Sequence, residues 1–190
     1  MLGTACRAAA AWQASAPSGR APYVTVNVST RQLLEPTFPE DVAQALRDAA
    51  LAPALLTLEI TEGVVMRDTE ASLHRLHELK ALGVRLAIDD FGTGYSSLSY
   101  LQRFPVDVLK IDKTFVDDVV SGGSHAALAR TIIALGETLS LQTVAEGIET
   151  AAQGESLLAL GCRKGQGYHY ARPLPPEEIA ACVLARQGAQ

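Results

Sequence analysis

Residues 84–98 read Val-Arg-Leu-Ala-Ile-Asp-Asp-Phe-Gly-Thr-Gly-Tyr-Ser-Ser-Leu. A short apolar run ends in two adjacent acids, Asp89 and Asp90, and runs straight into a glycine-rich turn that leads to a helical segment. Gly92 and Gly94 allow a tight reversal directly after the acids. Gly-x-Gly also opens a dinucleotide fingerprint, but Ser97 stands where the third glycine belongs, so the stretch reads as strand, turn and helix and not as a Rossmann loop.

The same texture recurs on both sides. Apolar, β-branched runs occur at Tyr23–Val28, Leu55–Ile60, Val84–Ile88, Val106–Ile111, Leu141–Ala145 and, most weakly, Lys164–Tyr170. Between them lie segments with helical spacing, such as Val42, Leu46 and Ala49, then Leu73, Leu76, Leu79 and Leu82, then Leu128, Ile132 and Leu135. Strand followed by helix, repeated, predicts parallel βα units, and near-continuous apolar strands predict a sheet covered on both faces. From Asn27 to Gln166 the chain advances about 28 residues per unit, and eight such units approach the roughly 250 residues of a (β/α)8 barrel. Six strands are expected, so residues 1–190 read as one α/β domain, a TIM-barrel-like fold lacking its first two strands. The chain opens on a helix over Cys6–Ala14. A joint is expected at Ser121–Ser124, and Pro175–Pro176 introduce a last helix over Glu177–Arg186.

Composition narrows the function. The chain has 190 residues, 48% of them hydrophobic and 19% charged, with a net charge of −5. That composition supports a packed core and excludes a disordered chain. The acidic balance argues against a DNA or RNA polymer as partner, because phosphate-backbone binding requires a basic face. A small anion held through cations remains compatible. Cys6, Cys162 and Cys182 are odd in number and far apart, which predicts free thiols and a cytoplasmic setting. No apolar run approaches the roughly 18 residues of a membrane span.

The polar residues fall where barrel chemistry resides, at strand ends: Asn27, Glu59, Asp89 with Asp90, Lys110 with Asp112, Glu146, and Gln166. In a βα barrel these positions share one mouth. So many carboxylates cannot all ionise together without compensating cations. Carboxylate and amide oxygens are hard ligands suited to Mg²⁺ or Mn²⁺, and a metal pair can activate water and hold a phosphoryl oxygen. Lys110 is suited to orient that water or to offset developing charge. The set points to metal-assisted phosphodiester hydrolysis. Glu62 and Glu149 read as loop braces. His74 and His77 read as a solvated helix face, and Trp12 as a packing residue.

These residues stand in motifs that resemble the EAL family of bacterial cyclic di-GMP phosphodiesterases. They are Val26-Asn27-Val28-Ser29, Leu58-Glu59-Ile60-Thr61-Glu62, Asp89 through Leu98, Lys110-Ile111-Asp112-Lys113-Thr114-Phe115, Ala145-Glu146-Gly147-Ile148-Glu149, and Gln166-Gly167-Tyr168 leading to Pro173-Leu174-Pro175. The resemblance implies an incomplete (β/α)8 EAL fold that hydrolyses cyclic di-GMP to linear pGpG with Mg²⁺ or Mn²⁺. It implies Asn27, Glu59 and Asp89 as ligands of a first ion, Asp90 and Glu146 as ligands of a second, and Asp112 in the same site. It implies Lys110 as the residue that positions the attacking water, with Glu59 and Gln166 at the catalytic centre. Glu149 and the loop through Phe91, Gly92, Thr93 and Gly94 would organise metal and substrate binding and support a dimer.

One departure stands out: the Glu-Ala-Leu tripeptide that names the family, which supplies a ligand of the first metal, is absent from the sequence. Weakened metal binding and impaired hydrolysis are therefore expected. The alternative is a non-catalytic module that binds cyclic di-GMP or another protein on the same fold. Strand edges at Tyr23–Val28 and Lys164–Tyr170 would be left unpaired, which predicts a homodimer or an element-swapped oligomer. Fused or partner signalling domains are also expected.

Overall fold

The computed structural model describes residues 1–15, 22–67, 69–94, 101–176 and 178–179. Six parallel strands form one sheet in chain order: β1 Val24–Val28, β2 Leu56–Thr61, β3 Arg85–Phe91, β4 Val108–Ile111, β5 Gln142–Ala145 and β6 Lys164–Gly165. The sheet and its helices make the half-barrel that the βα repeat predicts. The helices are α1 Leu2–Ser15, α2 Thr30–Leu34, α3 Phe38–Ala49, α4 Glu62–Arg67, α5 Thr69–Ala81, α6 Lys113–Asp117, α7 Ser124–Thr138 and α8 Ala151–Ala159. The expected helix over Glu177–Arg186 and the stretch Tyr95–Leu98 lie outside the described residues. No helix among the described residues is long and apolar enough to cross a membrane.

The local reasons for these boundaries are in the sequence. Ser29 with Gln32, and Thr150 with Gln153, form reciprocal capping boxes that start α2 and α8. Asp112 caps α6 by accepting a hydrogen bond from the Thr114 amide at 2.9 Å. Gly122 and Gly123, at φ of 77° and 108°, form the turn before α7, at the predicted joint.

The strands correct one expectation. They are not continuously apolar; they alternate. Leu56, Leu58 and Ile60 face the helices together with Leu86, Ile88, Leu109 and Ile111, and all are buried. The opposite face carries Thr57, Glu59, Arg85, Lys110 and Gln142, which line a narrow lumen of about 30 Å³. The helix-facing side supplies the core by apolar burial. The lumen is polar because it carries the site, so covering both faces did not make both faces apolar.

The edges behave partly as expected. Among the described residues β1 and β6 pair on one side only. The sheet nevertheless curls until the Lys164 ammonium sits 5.3 Å from the ring centroid of Tyr23, so a cation–π contact spans the two edges at the lumen floor. β6 is two residues long, not seven. Beyond Gln166, the chain presses against the backbone of Ile148, whose amide donates to Gln166 O at 3.0 Å. Any Cβ at Gly167 would collide with the Ile148 backbone, whereas one at Gly63 would meet open space.

Gly167→Ala is therefore expected to destabilise the fold by about 2 kcal/mol or more, and Gly63→Ala to be neutral or stabilising by about 0.5–1 kcal/mol. Equilibrium urea unfolding of the two variants checks the pair. Equal stabilities would contradict the packing described here.

Candidate metal centre and mouth

The register sets the site. Asn27 on β1 lies beside Glu59 on β2, and Thr61 lies beside Asp89 on β3. Lys110 comes from β4, Glu146 directly follows β5, and Gln166 follows β6. Strand order thus brings Glu59, Asp89, Lys110, Glu146 and Gln166 together at one mouth, with Asn27 exposed on the edge strand.

Lys110 occupies the centre. It is 4% exposed, and its ammonium lies 2.8 Å from Glu59 Oε2, 2.8 Å from Asp89 Oδ1, and in contact with Glu146 Oε1. Burial opposes its charge, but hydrogen bonds to Asp89, Glu146 and Glu59 more than reverse that effect and raise its pKa above the ordinary lysine value. It is a fixed cation at neutral pH, a donor and not a base.

The acid pair needs a special backbone. Successive strand residues point to opposite faces, so Asp89 and Asp90 should diverge. They do not, because β3 carries a bulge: from Ile88 to Phe91 it advances three residues while β4 advances two, from Leu109 to Ile111. Asp90 takes the extra position with φ of 54°, a left-handed conformation that Asp tolerates better than most residues. Carboxylate oxygens of Asp89, Asp90 and Glu146 consequently lie within 4.8 Å of one another. Burial and the neighbouring charges of Asp89 and Asp112 raise the Asp90 pKa. Burial likewise raises that of Glu146, with Lys110 opposing and the charges of Asp89 and Glu59 adding to it. Three oxygen donors that resist sharing a space are a donor set for a divalent cation.

The remaining predicted residues surround this cluster. Gln166 Nε2 donates to Glu146 Oε1 at 2.9 Å and orients that carboxylate. Asp112 faces Asp90, but one of its oxygens is engaged by the Thr114 amide and hydroxyl; burial works against its charge and these bonds outweigh it, lowering its pKa. It is not one of the three clustered acids. Asn27 is exposed at the rim. Glu149 pairs with Lys113 instead of reaching the cluster. Lys113 lies across Gly147, whose φ of 70° lets the chain turn beneath it.

Glu62 braces the metal loop, as the sequence suggested. It is 4% exposed, and its Oε2 accepts from the Gly92 amide at 2.9 Å. Any Cβ at Gly94 would sit 2.6 Å from Glu62 Oε1, which accounts for that glycine. Lys113 carried no role in the sequence reading, and its pairing with Glu149, 36 residues on, has no local signal. Beside Glu146 and Gln166 opens a cavity of about 750 Å³, lined also by Lys113, Tyr168 and Arg172, the last with its guanidinium 5.0 Å from the Tyr168 ring centroid. That volume suits a small ligand.

Comparison with known proteins agrees with this geometry. The family model of the EAL domain matches residues 1–173. The chain belongs to the EAL domain family. It is 45% identical over 184 residues to the bifunctional diguanylate cyclase/cyclic di-GMP phosphodiesterase MucR of Pseudomonas aeruginosa, across 96% of this chain and 26% of that protein. A solved structure of the MucR phosphodiesterase in complex with c-di-GMP superposes with a TM-score of 0.88 at 44% identity, covering 94% of this chain and 71% of that one. A manganese/cy-diGMP complex of Klebsiella pneumoniae BlrP1 gives a TM-score of 0.80 at 32% identity, over 90% of this chain and 42% of that one. The chain spans about a quarter of the length of the curated relatives it matches.

Because ligation requires ionised carboxylates, and Asp90 and Glu146 hold protons more tightly than free acids, Mn²⁺ affinity is expected to weaken as pH falls from about 7.5 towards about 5, starting above the ordinary carboxylate range. Calorimetric titration across that range checks this. An affinity flat down to about pH 5 would contradict it.

Proposed function

We propose that this chain is a cyclic di-GMP phosphodiesterase domain that hydrolyses cyclic di-GMP to linear pGpG with Mg²⁺ or Mn²⁺. The observation that carries the reading is the mouth itself: Asp89, Asp90 and Glu146 gathered around the buried Lys110 at the ends of parallel strands. A relative 45% identical, whose name is that of a cyclic di-GMP phosphodiesterase, supports the substrate. In this reading Asn27, Glu59 and Asp89 hold one divalent ion, and Asp90 and Glu146 hold another with Asp112 beside them. The oxygen-only donor set fits hard cations. Such ions, when bound, supply Lewis acidity towards water and a phosphoryl oxygen.

The chain's own residues do the rest. Lys110, held charged, donates hydrogen bonds and offsets negative charge at the attacked phosphate. Gln166 fixes the Glu146 carboxylate in one orientation. Glu62 holds the loop through Gly92, and with it Asp90, at its left-handed turn. The large cavity beside Glu146 receives the nucleotide. Hydrolysis adds one water across one phosphodiester: a new oxygen–phosphorus bond forms, the bond to the 3′ oxygen breaks, and that oxygen takes the proton.

A second reading is a module that binds cyclic di-GMP or another protein on the same fold without cleaving the nucleotide. The free, buried Cys6 and Cys162 suit a cytoplasmic setting. The open edges of β1 and β6 support a homodimer or an element-swapped oligomer, and the much longer relatives support work within a larger signalling protein.

Incubation with cyclic di-GMP and Mn²⁺, followed by chromatography, is expected to yield linear pGpG, with the rate falling about 100-fold or more in Glu59→Ala. Bound but intact cyclic di-GMP would select the binding module. Light scattering is expected to give at least a dimer mass; a monodisperse monomer would refute the oligomer.

A further inference from the structure

We propose that Lys110 is the built-in counter-cation of the metal site, so that loading a divalent ion requires its ammonium to be displaced from the carboxylates it bridges. The inference rests on the reading that Glu59, Asp89 and Glu146 ligate metal.

The ammonium is bonded to those three carboxylates and to no other side chain among the described residues. Two of them, Asp89 and Glu146, belong to the group whose oxygens converge within 4.8 Å. A divalent ion bonds a carboxylate oxygen at about 2.0–2.6 Å. The ammonium lies 2.8 Å from the Asp89 oxygen. A second cation on the same oxygens would sit within a few ångströms of the first, in a site where Lys110 is 4% exposed and water screens little. The two cations therefore compete for the same oxygens.

The lumen gives the displaced ammonium somewhere to go. Lys110 lines the cavity of about 30 Å³ that runs below the mouth. Thr57, 2% exposed, lines it too, and its Oγ1 is buried without a hydrogen-bond partner. That orphaned hydroxyl is an unused acceptor on the wall of the cavity that Lys110 also lines. Without metal, Lys110 holds the acids together; with metal, it gives them up and remains beside the site as a donor.

The test measures Mn²⁺ binding by calorimetry and thermal unfolding in chelator, using wild type, Lys110→Met and Lys110→Arg. Lys110→Met is expected to unfold at a lower temperature in chelator, since three acids lose their cation, and to bind Mn²⁺ about tenfold tighter or more, the factor that corresponds to removing one modest charge repulsion. Lys110→Arg, which keeps the charge, is expected to bind no tighter than wild type. Should Lys110→Met fail to fold in chelator, recovery of its folded state by millimolar Mn²⁺ supports the proposal, and no recovery overturns it. Unchanged or weaker Mn²⁺ binding by folded Lys110→Met also overturns it, showing that the lysine organises the site without competing. Tighter Mn²⁺ binding by Lys110→Met, together with a wild type that leaves cyclic di-GMP intact, would uphold this inference and refute the phosphodiesterase reading.

Discussion

A single buried ammonium ties the mouth of this half-barrel together. Lys110 stands on β4, and its partners come from β2, β3 and the residue after β5. Without a cation, the acids at these three strand ends would repel one another at the place where the sheet converges. With Lys110 among them, the same repulsion becomes a four-strand crosslink. The cost of burying each charge is offset only because every partner is present. Burial, with neighbouring acids adding to it, still raises the proton affinities of Asp90 and Glu146.

The second constraint is geometric. Two consecutive residues of a strand cannot serve one pocket unless the backbone is broken, and the bulge at Asp90 breaks it. A left-handed residue at a functional position stores strain that surrounding contacts must hold. Glu62 is one such contact, through the Gly92 amide, and the packing of Phe115 and Ile132 under Gly92 is another. The loop after the acid pair is thus part of the metal centre mechanically, although its residues from Phe91 to Gly94 contribute no carboxylate.

The open edges follow from the strand count. Six strands curl far enough for Lys164 to reach Tyr23 across the lumen floor, yet not far enough for β1 and β6 to share backbone hydrogen bonds. Closing a sheet requires strand number, tilt and stagger to agree. Asn27 and Gln166 sit at these two edges, Asn27 exposed and Gln166 held by Glu146, Ala145 and Ile148.

The sequence by itself determined the repeating βα order, the starts of the six strands within about two residues, and the polar residue that ends each apolar run, but not the ends of β3 and β6. Those features are local: apolar runs, helical spacing and a polar residue at each strand end are all written in consecutive letters. Tertiary structure alone decided how those residues meet. The alternation that makes the lumen polar was hidden, because Val, Ile and Leu on the helix side dominate each short run. The bulge that turns Asp90 beside Asp89 depends on β4 being one residue shorter over the same span. The pairing of Glu149 with Lys113 depends on which loops lie side by side, whereas Asp112 caps its own helix through Thr114, two residues on. The bulge and the Glu149–Lys113 pair are relations between segments distant in the chain, set by strand register and packing, and no stretch of sequence read alone contains them.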